Sequence, residues 1–182
     1  MANTSHPAAL YQFRKVTRIT ALIILLLVGV GFFMPTDYRV ERSVVIDAPR
    51  DLVVSHVLKG DQLASWMYIQ SGQVDGFDGV LVEGDSVDLS YADSEDKGVL
   101  TVTDISSYRI GFDVRPKPAV NQVSNSLEFL PDSNGTLVKW TIEGRLSAGL
   151  LSPYLAIFAN DIAGNNFEKS LASLKEQVEQ LL

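Results

Sequence analysis

Cysteine is absent from the 182 residues, which excludes disulfides, thiol nucleophiles and thiolate metal sites. Histidine is nearly absent, with only His6 and His56 in the chain. No H-E-x-x-H occurs, and one or two imidazoles without cysteine do not make a typical zinc cage, so neither a metal nor a cofactor is expected. A Ser-His-Asp arrangement would have to use His56, yet no G-x-S-x-G elbow accompanies it. His56 therefore reads as a structural or surface residue, and no catalytic residue is assigned. Acidic residues are missing from the first 36 positions, where Arg14, Lys15 and Arg18 give +3. From Asp37 onward 12 basic residues face 22 acidic ones, a net of −10. A domain of that charge repels phosphate backbones, so nucleic acid is not an expected partner.

Against these absences stands one long apolar run. Ile19 to Met34 reads ITALIILLLVGVGFFM, with no charge in it. As a helix it would span roughly 24 Å, a little short of a hydrocarbon core of roughly 30 Å. Val16 and Thr17 extend it if Arg18 snorkels to the headgroups, and Pro35 stops it. The run is apolar on every face, unlike the stripe of a soluble core helix. Two readings stay open. An uncleaved signal anchor divides the chain into a basic cytoplasmic tail (1–18), a transmembrane segment (19–36) and an outer domain (37–182), and the positive-inside rule puts Met1 in the cytoplasm of a bacterial cell and the domain beyond its inner membrane. A cleaved signal peptide would export the same domain, although no A-x-A-like site follows the run.

Beyond Asp37 the pattern is strand, two short helices, six strands and a long helix. Tyr38–Asp47 alternates, with Tyr38, Val40, Val44 and Ile46 on one face. Asp47-Ala48-Pro49 signals a helix start, and Gly60-Asp61 separates two helical pieces, the second ending at Trp66. Val80–Val82, Ser86–Tyr91, Val99–Ile105, Arg109–Val114, Gln122–Leu130 and Leu137–Gly144 then alternate between polar turns, of which Asn134-Gly135 is the strongest signal. Leu151, Tyr154, Phe158 and Ile162 form one apolar row of a terminal helix. Phe167, Leu171, Leu174, Val178 and Leu181 form the other. Gly164 between them marks a close approach or a bend. An α+β fold follows, a curved antiparallel sheet of about seven strands wrapped on a long C-terminal helix.

Particular segments carry a resemblance. The stretch SVVIDAPRDLVVSHV (Ser43–Val57), Trp66 after the second short helix, GTLVKWTIEG (Gly135–Gly144) with Trp140, and FEKSLASLKEQVE (Phe167–Glu179) resemble the SRPBCC superfamily. This group of START-like, birch-pollen-allergen-like and polyketide cyclase/dehydrase-like proteins shares the helix-grip fold. The resemblance covers Tyr38 to Leu182 and implies a cavity between the sheet and the long helix. Onto that cavity the alternation maps Ile110, Phe112, Leu127, Phe129, Val138, Trp140 and Ile142, with Trp66, Tyr154 and Phe158 closing it from the helical side. Asp161 and Asn165 share a helix face at i, i+4 and form either a polar orienting pair in the cavity or a solvated patch. Asn125 and Glu143 carry the same two readings. The candidate ligand-binding set is thus Trp66, Phe112, Phe129, Trp140, Tyr154, Phe158 and Asp161.

Asp93, Glu95 and Asp96 with Gly98 lack the alternation and closing glutamate of a calcium loop and read as a hairpin tip. Phe77, in the loop between helix and sheet, is a candidate gate. Three functions remain: a membrane-anchored binder of a hydrophobic small molecule or lipid, a cyclase- or dehydratase-type enzyme using a cavity carboxylate such as Asp161, and an envelope protein-interaction module. The first is favoured, because no acid, base and nucleophile converge in the sequence.

Overall fold

The computed structural model describes residues 7–146 and 149–182; side chains at 7–10, 150, 153 and 156–163 lie outside the described set. Helix α1 (Pro7–Phe33) is followed by strand β1 (Asp37–Ile46) and two short helices, α2 (Arg50–Val57) and α3 (Gly60–Trp66). Six strands come next: β2 (Gly72–Val74), β3 (Ser86–Tyr91), β4 (Ser94–Ile105), β5 (Arg109–Arg115), β6 (Val123–Asp132) and β7 (Gly135–Arg145). A 3-10 turn (Gly149–Leu151) leads into helix α4 (Ser152–Glu179). The seven strands form one antiparallel sheet in the order β1-β7-β6-β5-β4-β3-β2, with α4 laid along β1. This is the helix-grip architecture.

The sheet curls because its strands twist and because β3 and β4 carry register shifts at Leu89/Tyr91 and Val102/Asp104. Inward positions are apolar and buried, among them Val40, Ile46, Leu100, Leu127, Phe129 and Val138. Ten paired positions, from Asp37↔Arg145 to Ile46↔Thr136, zip β1 to β7. The α2 turn is held by Thr136, whose hydroxyl donates to the Ala48 carbonyl at 2.8 Å. Pro49 stands at the helix N-cap, immediately before the first turn.

Helix α4 is clamped to β1 by charge. Arg42 Nε meets Glu168 Oε1 at 2.7 Å, Lys175 Nζ donates to the Val45 carbonyl at 2.6 Å, and Glu179 Oε1 accepts the Asp47 N–H at 2.9 Å. Gly164 is the close approach, for the Arg42 guanidinium occupies the space a Cβ would need.

One strand expectation is corrected. Val80–Val82 is not a sheet strand, because its polar groups are taken elsewhere. The Leu81 N–H donates to the Leu58 carbonyl, and the Val82 N–H to the Asp85 carboxylate at 2.8 Å. Gly79 (φ +105) and Gly84 (φ +92) turn the chain out of extended geometry on either side. The seventh strand is instead Gly72–Val74, too short to show an alternation.

Helix α1 stands apart from the domain's core. Its stretch Tyr11–Phe33 is long and apolar enough to cross a membrane, and none of it is buried; a signal sequence shares those properties. Among the described residues it meets the domain at the 3-10 turn and at Tyr154, whose ring lies against Gly31 and whose hydroxyl donates to the Leu27 carbonyl.

Candidate ligand-binding cavity

Side chains from sheet and helices meet unevenly along the length of the domain. Near α2 and α3 the bulk of Trp66, Leu63, Leu81 and Leu127 leaves a void of only about 20 Å³. Toward the other end, where β1 begins and β7 finishes, a cavity of about 320 Å³ opens. Met67, Leu100 and Phe112 border both spaces and form the partition between them. The cavity lies at the small end of the usual range for ligand sites, roughly 300–1,000 Å³.

Its walls follow from the pleat. Leu89, Val114, Val123 and Ile142 project inward from their strands, and Phe167 comes from α4. Trp140 sits at the centre of an aromatic group, its ring 6.0 Å from Trp66, 5.9 Å from Phe112 and 4.9 Å from Phe167 between centroids. Beta-branched and short side chains at Val114 and Val123 do not reach across to the helix, which leaves the space open.

The polar atoms of the lining are uncharged. Asn125, 7% exposed, accepts from Trp140 Nε1 at 3.1 Å and donates to the Val123 carbonyl at 3.1 Å. Both groups are thereby fixed in rotamer, and the amide keeps one N–H free of these two bonds. Tyr38, Tyr68, Gln70, Tyr91 and Asn166 complete the polar set. Burial raises Tyr38 and Tyr91 above the ordinary phenol range, so both stay neutral hydroxyls at physiological pH. Tyr38 fits because its cross-strand partner is Gly144, where a Cβ would lie 2.6 Å from the phenol oxygen. The Tyr68–Gln70 segment is pinned to α4 by Ser170, whose hydroxyl accepts the Tyr68 N–H at 2.9 Å and donates to the Asn166 carbonyl at 2.9 Å. At the rim, Lys117 lies over the Tyr91 ring and Lys169 over the Tyr68 ring.

The residues singled out from sequence divide among these regions. Phe112 and Trp140 line the cavity. Trp66 borders the small void, and Phe129 is fully buried in the packed core. Tyr154 reaches α1. Phe158 and Asp161 lie on α4, their side chains outside the described residues. Of the accompanying polar candidates, Asn125 is in the cavity, Asn165 is exposed, and Glu143 pairs with Arg39 at 2.6 Å on the outer face. Phe77 packs against Gly60 beside the core. His56 is buried, with Nε2 3.1 Å from Gln177 Oε1. Sequence reasoning passed over Tyr38, Gln70 and Tyr91 as cavity residues, whereas Asn166 is among the polar positions of the long helix that it picks out. Tyr38 had a usable signal, since it begins the inward face of β1.

Sequence comparison with curated proteins finds no match. Solved structures share the fold at low identity. Protein CV1439 from Chromobacterium violaceum is 17% identical with a TM-score of 0.60, covering 78% of this chain and 98% of that one. Protein SA2116 from Staphylococcus aureus, of unknown function, is 14% identical with a TM-score of 0.62, over 79% and 94%. The di-domain ARO/CYC StfQ from the steffimycin biosynthetic pathway is 10% identical with a TM-score of 0.62, over 79% of this chain and 52% of that one. The family model described as polyketide cyclase/dehydrase and lipid transport matches residues 37–179, which is the whole sheet and its helix. The chain belongs to that family.

Proposed function

We propose that the chain is a membrane-tethered binding domain for an uncharged hydrophobic small molecule or lipid. The cavity carries this reading: about 320 Å³, walled by aliphatic and aromatic side chains, with hydroxyls and amides as its polar groups. Apolar ligand area buried there stabilises the complex at roughly 25 cal/mol per Å². Asn125, Tyr38 and Tyr91 orient one polar group of the ligand by hydrogen bonds. A charged headgroup gains no counter-ion from the described lining, and its desolvation is costly. It therefore stays outside.

Residues 1–18 form the cytoplasmic tail, 19–36 the span and 37–182 the outer domain. The charge asymmetry and the unburied α1 support this arrangement. Only Met34, Pro35 and Thr36 separate α1 from β1, so the tether holds the domain close to a bilayer.

The test uses the tryptophans. Trp140 borders the cavity, whereas Trp66 borders the packed void. In the full-length Trp66→Phe variant, a brominated long-chain alcohol should quench the remaining Trp140 emission saturably. In Trp140→Phe, the same probe should quench Trp66 several-fold less. Equal and non-saturating quenching of both would sink the binding reading. Mass measurement of the protein recovered from membranes tests the tether, since loss of residues before Asp37 would identify a cleaved signal.

A further inference from the structure

Apolar surface continues past α1. The 3-10 turn and the start of α4 read GLLSPYLAIFA (149–159), eleven residues without a charge. Leu151 is 64% exposed and Leu155 42% exposed. Between them Tyr154 packs onto α1. Its hydroxyl donates to the Leu27 carbonyl, and its ring lies against Gly31, where even a Cβ would stand 3.2 Å away.

The depth of this contact follows from helix geometry. Leu27 precedes the end of α1 at Phe33 by six residues, about 9 Å of helix. The start of α4 also overhangs the sheet. From the Arg42–Glu168 contact, α4 runs back 16 residues to Ser152, about 24 Å. From the same contact β1 runs back only five residues to Asp37, about 17 Å. The overhang points the same way as the hollow end of the domain, where the cavity lies between the start of β1 and the end of β7.

We propose that residues 149–159 are a second membrane-embedded element, inserted beside α1 into the outer leaflet, and that they hold the cavity mouth against the bilayer so that an uncharged bilayer amphiphile enters without crossing water. This rests on the reading of α1 as a span. Leu151 and Leu155 with the exposed Val30, Phe32 and Phe33 then face acyl chains in place of water. The Tyr154 hydroxyl, costly to bury unpaired in hydrocarbon, is satisfied by the Leu27 carbonyl. Gly31 leaves room for the ring, as small residues do where membrane helices meet.

The cysteine-free chain permits single-site labelling. An environment-sensitive fluorophore is placed on full-length Leu151→Cys, Leu155→Cys, Leu27→Cys and Tyr108→Cys, the last in the exposed turn at the opposite end of the sheet. Each is reconstituted into phosphatidylcholine vesicles with or without nitroxide-labelled acyl chains, with Trp140 emission as the check on folding. Labels at 151 and 155 should be quenched nearly as strongly as at 27, and several-fold more than at 108. Quenching at 27 alone would overturn the proposal and leave the span standing. No quenching at 27 would remove the span and this proposal together. The doubly substituted Leu151→Asp, Leu155→Asp chain should load the brominated long-chain alcohol, read by Trp140 quenching, from vesicles several-fold more slowly, and from detergent at an unchanged rate. Equal slowing in both would overturn the entry route.

Discussion

The two halves of the domain interior are built from the same sheet and the same helix, yet one is filled and the other is hollow. In the filled half Phe129, Leu174 and Val178 are fully buried, and Trp66, Leu63 and Leu127 border a void of only about 20 Å³. In the hollow half valines at 114 and 123 face Asn166 and Phe167 across about 320 Å³. The contrast teaches that alternation assigns a face and side-chain length assigns the void. Stability is concentrated where the contacts are dense. The open space lies where they are missing.

The sharpest test of this contrast is a pair of truncations. Phe129→Ala in the filled half should cost about 3–5 kcal/mol in urea unfolding, from lost burial plus a new cavity. Ile142→Ala, on a wall already facing open space, should stay near the lower end of the roughly 2–5 kcal/mol range for such changes. Equal costs would mean that the hollow half is closed in solution.

Asn125→Leu comes next. It strands the buried Trp140 Nε1 without its partner and should destabilise by about 1–3 kcal/mol, read from the same unfolding curves. A comparable effect is expected on a ligand that uses the Asn125 amide. Filling the hollow half gives a binding effect without a stability loss. Val114→Phe should weaken a hydrophobic probe at least tenfold, or about 1.4 kcal/mol by titration, while the melting temperature holds or rises. A tenfold loss accompanied by a large drop in melting temperature would show that the space is not available to a ring.

The smallest effects concern pH at the two ends of β1. At the filled end the Asp47 N–H, together with Lys175, holds the Glu179 carboxyl below its ordinary range. At the hollow end a hydrogen bond from Arg145 does the same for Asp37. A carboxylate depressed in the folded state adds stability above its unfolded value of about 4.3 for Glu or 3.9 for Asp. That contribution is lost as pH falls through the folded value. Glu179→Gln and Asp37→Asn should therefore each lower stability at neutral pH and flatten the acid limb of the profile. The difference from the parent chain should vanish at the lowest pH. A difference that persisted there would assign the effect to packing in place of charge.

Much of this was legible in the residues. Tyr38, Val40 and Ile46 announced the inward face of β1, and the rows of α4 announced the helix that covers the sheet. Phe112 and Trp140, which alternation maps onto the cavity the resemblance implies, border the open space. Phe129 obeys the same alternation but meets α4 where the space is already full, and no local pattern distinguishes the two cases. Val80–Val82 read as a strand because period two was present. Its hydrogen-bonding groups were claimed by Leu58 and Asp85, one of them twenty-odd positions away.

What is local in the chain was decided by the chain: the all-round apolar character of α1, the charge step before Asp37, the inward and outward faces of each strand. These depend on the 3.6- and two-residue periods, which neighbours in sequence express directly. Tertiary structure alone decided where the interior stays empty, that Asn125 satisfies Trp140, and that Tyr154 leaves the cavity for Leu27. Each of these is a relation between different elements, 15 residues apart for Asn125 and Trp140 and 127 for Tyr154 and Leu27, and a void is the volume left over when all of them have packed.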